Sequence, residues 1–99
     1  MIVVDASAIP LPGKRAENAA VAKETLAYLE QRWPLSQPRM LIEDLTDGRV
    51  HLISLKASLA EHESQVAEQL ADADFTNLRQ KVEQFMVPGT SRQTYGRVL

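Results

Sequence analysis

One carboxylate and one imidazole of this 99-residue chain, Asp44 and His51, are expected to face each other. The segment Met40 to Leu55 reads as a β-hairpin whose Asp47-Gly48 forms a two-residue type I′ turn, because Gly tolerates positive φ and this turn's twist matches that of the strands. In that register Asp44 faces His51, Leu45 faces Val50, Glu43 faces Leu52, Ile42 faces Ile53, Leu41 faces Ser54 and Met40 faces Leu55. A carboxylate that orients an imidazole can make a general base. Next to a turn, the same pair is more often a surface contact between strands. The other candidates are weaker. Consecutive helical residues point about 100° apart, so Glu61, His62 and Glu63 do not converge on one metal ion, and Asp72 and Asp74 share no helical face. Pro12-Gly13-Lys14 before a helix has one Gly where a phosphate cradle needs several. No serine sits in a nucleophile elbow. No catalytic residue, metal ligand or cofactor site is assigned on this reading, and the chain is expected not to be an enzyme.

The elements that would position these residues follow from periodicity and punctuation. Ile2 to Ala6 is a short apolar strand, ended by Pro10-Leu11-Pro12-Gly13. From about Arg15 to Trp33, the residues Ala19, Ala22, Leu26, Leu29 and Trp33 recur at steps of three and four and define one helical face. Pro34 and Pro38 end that helix, and the hairpin follows. Ser58 and Glu61 have the spacing of a capping box, so a second helix starts there. Leu59, His62, Val66, Leu70 and Ala73 form one stripe, while Phe75, Leu78, Val82, Phe85 and Met86 form another. Either the helix breaks between Ala71 and Asp74, or one long helix has two contact faces. Val87-Pro88-Gly89 closes the helical region. Residues 90–99 are a tail or a final strand built around Tyr95 and Val98.

The expected fold is a small two-layer α+β domain of order β-α-β-β-α, spanning 1–87, with 88–99 as a tail or added strand. A helical crossover from the first strand to the hairpin permits a parallel pair, giving a three-stranded mixed sheet with helices on one face. On the hairpin, Met40, Ile42, Ile53 and Leu55, with Asp44 and His51, read as the core face. Leu41, Leu45, Val50 and Leu52 line the second face, too apolar to be comfortably bare, and a homodimer through them is expected.

Composition narrows the class of protein. Hydrophobic residues make 44% and charged residues 24%, an ordinary globular balance. The absence of cysteine excludes disulfides, a thiolate nucleophile and cysteine-held metals. No segment approaches the roughly 20 apolar residues of a membrane span, and Met1 to Asp5 has no leader-peptide character, so a soluble, cytoplasmic protein is expected. A net charge of -2 argues against general nucleic-acid affinity.

Residues 57–78 hold Glu61, Glu63, Glu68, Asp72 and Asp74 and no Lys or Arg. That acidic helix surface would steer a basic partner. Arg92, Tyr95 and Arg97 in the tail are of types favoured at interfaces. The expected function is therefore a non-enzymatic protein-interaction module, a regulator or assembly component, binding a protein partner through the acidic helix, the tail or both.

Three resemblances accompany this reading. Ile2-Val-Val-Asp-Ala-Ser-Ala8 resembles the first strand of PIN-domain ribonucleases, which would make Asp5 a metal ligand and Glu43 a second, in a small metal-dependent nuclease or hydrolase; here Glu43 falls in a predicted hairpin. The strand, helix, hairpin and acidic helix, with Pro10-Leu11-Pro12 before the first helix, are similar in arrangement to DinI-like SOS modulators, which implies action on a DNA-repair filament. The hairpin from Leu41 to Leu55 followed by helices is similar in arrangement to Phd and YefM antitoxins, which implies dimerisation and masking of a toxin.

Overall fold

The computed structural model describes residues 1–99 and has the element order β1 (Ile2–Ala8), α1 (Arg15–Arg32), β2 (Met40–Glu43), β3 (Val50–Lys56), α2 (Leu59–Leu70), α3 (Ala73–Gln84) and β4 (Arg92–Arg97). These form a small two-layer α+β domain, as the sequence predicts. Local signals set most boundaries. α1 spans the predicted segment and buries Asn18, Thr25 and Leu29 along one face, with Trp33 beyond its end. At α2, the Ser58 hydroxyl accepts from Glu61 N–H while Glu61 reaches back to Ala57 N–H, the reciprocal capping box. The helical region breaks at Ala71–Asp72, where the Asp72 carboxylate accepts from Phe75 N–H and starts α3. No helix is long and apolar enough to cross a membrane.

The sheet differs from the expected one in strand order, register and covered face. Four strands lie in the order β2-β3-β1-β4, and every pairing is antiparallel. β3 inserts between β1 and β2, so the two strands joined by α1 run the same way without touching. The expected parallel pair is therefore absent. Residues 92–97 form β4 along the free edge of β1, with Tyr95 opposite Val4.

The hairpin register is shifted by two residues, pairing Met40 with Ile53, Leu41 with Leu52, Ile42 with His51 and Glu43 with Val50. Its connection is four residues, Leu45–Gly48, closed by Asp44 N–H donating to Arg49 O at 2.8 Å. The cause lies in Asp44. Its carboxylate accepts Thr46 N–H at 2.7 Å, an Asx turn that replaces the tighter I′ turn. Gly48 supplies the left-handed residue at φ +79.

A two-residue shift preserves which side chains share a face, yet the covered face is the opposite of the expected one. Ile2, Val4, Ala6 and Ala8 of β1 lie with Val50, Leu52, Ser54 and Lys56 of β3 under α1 and α2, and Val4, Ala8, Ser54 and Lys56 are buried. Met40, Ile42, His51, Ile53 and Leu55 lie on the uncovered face, with Met40 53% and Ile42 42% exposed. Both faces alternate apolar residues, so strand pattern alone does not choose between them. The long helix α1 does, by packing Leu29 and Trp33 inward. α3 packs mainly against α1, with Phe75 edge-on to Trp33 at 6.0 Å.

Candidate active site

The layer between helices and sheet is unusually polar. Beside the core residues Val4, Ala8, Leu29, Trp33 and Leu78, it buries Asn18, Thr25, Arg39, Ser54, Lys56 and His62. Burial of ionisable side chains costs free energy unless partners repay it, so such residues point to a site.

Lys56 is the last residue of β3 on the helix-facing side and is only 4% exposed. One turn into α2, His62 lies over it, and Lys56 Nζ is 2.8 Å from His62 Nδ1. The other imidazole nitrogen, Nε2, is 3.4 Å from the Tyr95 hydroxyl of β4, with the two rings edge-on at 5.4 Å. A hydrogen-bonded chain thus runs from a buried amine through an imidazole to a half-exposed phenol. Desolvation, followed by the charge of Arg39, lowers the pKa of Lys56 to about 8. Desolvation and the adjacent Lys56 charge likewise push His62 down. Arg39 lies at the β2 side of this interior. Its Nη1 donates to Glu30 Oε1 at 2.9 Å, while its Nη2 and the Gln65 Oε1 on α2 are buried without partners.

The chain ends in a cleft of about 280 Å³ between α2 and β4, lined by His62, Glu63, Val66, Ala67, Leu70, Gln93 and Tyr95. Its size suits a small ligand, and its mixture of apolar wall and a few convergent polar groups is that of a small-molecule site. A second depression, about 490 Å³, is lined by Arg32, Trp33, Glu68, Ala71 and Asp72. Its polar groups are already paired among themselves: Trp33 Nε1 donates to Glu68 at 2.7 Å, and Arg32 and the Tyr28 hydroxyl donate to Asp72. Its polar groups thus serve first to tie α1 to α2 and α3.

The residues singled out from sequence are distributed differently. Asp44 does not meet His51; it is spent on its own turn, which also lowers its pKa through the Thr46 N–H bond. His51 instead bonds Asp5, with Nδ1 3.0 Å from each carboxylate oxygen, on the uncovered face. Glu43 is on the helix-facing side, paired with Arg15 at 3.2 Å. Asp5 and Glu43 thus lie on opposite faces of the sheet and cannot share the metal that a PIN-like nuclease would need. Among the acids, Glu61 caps α2, Glu68 holds Trp33, Asp72 caps α3, Glu63 lines the cleft and Asp74 lies in the first turn of α3. They do not form one free stripe. Arg92, Tyr95 and Arg97 are all in β4, Tyr95 alone facing His62. Leu41, Val50 and Leu52 lie on the helix-facing side, and Leu45 is 91% exposed in the hairpin loop.

Lys56 carries no local sequence signal for chemistry, and His62 appears in the sequence between Glu61 and Glu63, which cannot share one metal ion with it, and on the apolar stripe of α2. That stripe is the available signal, because an imidazole on it must meet a buried partner.

No family model matches this chain, and no curated protein matches it. Its fold does match solved structures over essentially the whole length. An antibiotic biosynthesis monooxygenase superimposes with a TM-score of 0.76 at 17% identity, covering 100% of this chain and 99% of the other. An uncharacterised NIPSNAP domain protein from Burkholderia xenovorans gives 0.78 at 13% identity, covering 100% and 95%. A Caulobacter crescentus protein assigned by name to the same monooxygenases gives 0.75 at 20% identity, covering 99% and 89%. The chain therefore has the ferredoxin-like α+β fold of these proteins, two split β-α-β units around one antiparallel sheet. This likeness overturns the expectation of a non-enzymatic interaction module and with it the expectation that the chain is no enzyme: it shares its whole architecture with proteins named as monooxygenases. The regulator readings drawn from likeness of arrangement to DinI-like modulators and to Phd and YefM antitoxins fall with it.

Proposed function

We propose that this protein is an enzyme acting on a small, mostly apolar substrate held in the cleft between α2 and β4, with His62 and Tyr95 handling proton and charge at a substrate oxygen. The observation that carries this reading is the Lys56–His62–Tyr95 chain, buried at one end and opening into the cleft at the other. An imidazole bonded at both nitrogens can take a proton on one while releasing one from the other, so it links the Lys56 amine to the cleft. Val66, Ala67 and Leu70 supply the apolar wall. The monooxygenase name of the structural neighbours makes oxidation by dioxygen the overall reaction to test first.

Oxygen uptake with a panel of small dihydroxyarenes, which can supply the electrons themselves, is the direct assay. Replacing His62 with Gln is expected to lower a measured rate by about 100-fold or more. An unchanged rate in His62→Gln would remove the site.

The uncovered sheet face supports a homodimer as the working unit. Met40 and Ile42, with the neighbouring Val3, Ile53 and Leu55, make an apolar surface that no element of the chain covers. Light scattering is expected to give a dimer for the native protein and a monomer for Ile42→Asp. A native monomer would refute it.

A further inference from the structure

The interior under α2 has more positive charge than its surroundings balance. Lys56 makes no salt bridge, and its one side-chain partner is His62 Nδ1. Arg39, its side chain 2% exposed, shares the single carboxylate of Glu30 and keeps Nη2 unpartnered. Near neutral pH the Lys56 amine is an ammonium with hydrogens to give and no lone pair. His62 Nδ1 must therefore accept, and the ring proton must be on Nε2. The opposite tautomer would aim its N–H at the ammonium, and a doubly protonated ring would add a second buried charge against Lys56 and Arg39; Glu61 and Glu63 are the carboxylates that oppose this.

The consequence appears in the cleft. Nε2–H then donates to the Tyr95 oxygen across a long 3.4 Å and leaves the Tyr95 O–H free, so an anionic oxygen entering the cleft can draw both hydrogens to itself, with a buried ammonium behind them. Neighbouring donors backed by a buried cation are what a negatively charged oxygen requires. We propose that the cleft binds its ligand through an oxyanion of carboxylate, phenolate or enolate type, held between His62 Nε2–H and Tyr95 O–H, with Lys56 as the positioning residue that fixes the imidazole in the donor tautomer. This rests on reading the α2–β4 cleft as the active site. Glu63, the one carboxylate lining the cleft, is exposed to water and screened by it.

Nitrogen-15 NMR of histidine-labelled protein at neutral pH tests the proposal without turnover, using benzoate and the isosteric but neutral benzamide as probes. The native protein is expected to show the proton of His62 on Nε2 and to bind benzoate at least about tenfold more tightly than benzamide. Tyr95→Phe is expected to weaken benzoate about tenfold while leaving the tautomer unchanged. Lys56→Met is expected to let the Nδ1–H form appear and to abolish the preference for benzoate. A proton on Nδ1 in the native protein, equal affinity for both probes, or no benzoate binding would each overturn the proposal. Tyr95 is half exposed, so its variant keeps the test decisive if Lys56→Met does not fold. Benzoate binding without oxygen uptake would strike the oxidation reading alone; uptake that depends on His62 without a preference for anions would strike this one alone.

Discussion

His51 Nδ1 lies 3.0 Å from both carboxylate oxygens of Asp5, across the β1–β3 pair on the uncovered face of the sheet. The two side chains are about a quarter exposed, 22% and 25%, so the pair is only partly screened. A double-mutant cycle with Asp5→Asn and His51→Gln, read by urea denaturation, is expected to give a coupling of about 0.5–1.5 kcal/mol. A coupling near zero would mean that the two groups are merely adjacent.

Lys56 makes stability depend on alkaline pH. Its folded pKa is about 8 against 10.5 for the unconstrained side chain, so between those values the unfolded chain holds the extra proton. Stability therefore rises as pH climbs through that window, by an amount of the order of 2–3 kcal/mol. Tyr28 acts the other way. Desolvation and its bond to Asp72 raise its pKa above 10.0, and the stability it adds is lost as pH rises through that higher value. Chemical denaturation at intervals below pH 10 isolates the lysine, and Lys56→Met is expected to flatten the rise. On the acid side, the lowered His62 adds stability that is complete above its ordinary 6.5 and fades as pH falls.

Asp72 joins two elements, α3 and α1. It caps α3 through Phe75 N–H at 2.9 Å, accepts the Tyr28 hydroxyl of α1 at 2.8 Å and pairs with Arg32 at 3.2 Å. The Phe75 bond above all, then the Tyr28 bond, holds its carboxyl below 3.8, so the cap persists into acid and is lost only as pH falls through that lowered value. Asp72→Ala is expected to lower Tm by about 4–8 °C in a circular dichroism melt. Asp72→Asn, which keeps the capping oxygen, is expected to lose clearly less.

Gly48 is needed for its backbone angle more than for space. A Cβ there would meet the guanidinium of Arg15, the far end of a flexible side chain, but the φ of +79 would stay. Gly48→Ala is expected to cost about 1–2 kcal/mol in urea denaturation. The same loss in an Arg15→Ala background would assign it to the backbone; a loss that vanishes there would assign it to the contact.

Much of the secondary structure was readable because its causes are local. Prolines 34 and 38 end α1, and Ser58 with Glu61 starts α2 through bonds that span three or four residues. The hairpin's existence was readable too, from two apolar runs about Asp47-Gly48. Its register was not, because Asp44 competes for the turn with a carboxylate bond that the Asp-Gly signal does not report.

The candidate site was largely hidden. Lys56 and His62 are six residues apart on different elements, and their contact depends on which sheet face α2 covers. Tyr95 is legible as an interface-type residue and as the centre of a possible final strand, but its position opposite Val4 and beside His62 requires β4 to add to the edge of β1.

By itself, then, the amino-acid order determined an α+β chain, the span of α1, the capping of α2 and a hairpin in the middle, all set by dihedral preference and short-range hydrogen bonds. The tertiary structure alone decided that β3 lies beside β1, that the face bearing Val4, Ser54 and Lys56 is the covered one, and that His62 stands between Lys56 and Tyr95. Alternating apolar residues on both strand faces leave those choices nearly balanced locally, and only the joint packing of α1, α2 and α3 breaks the balance.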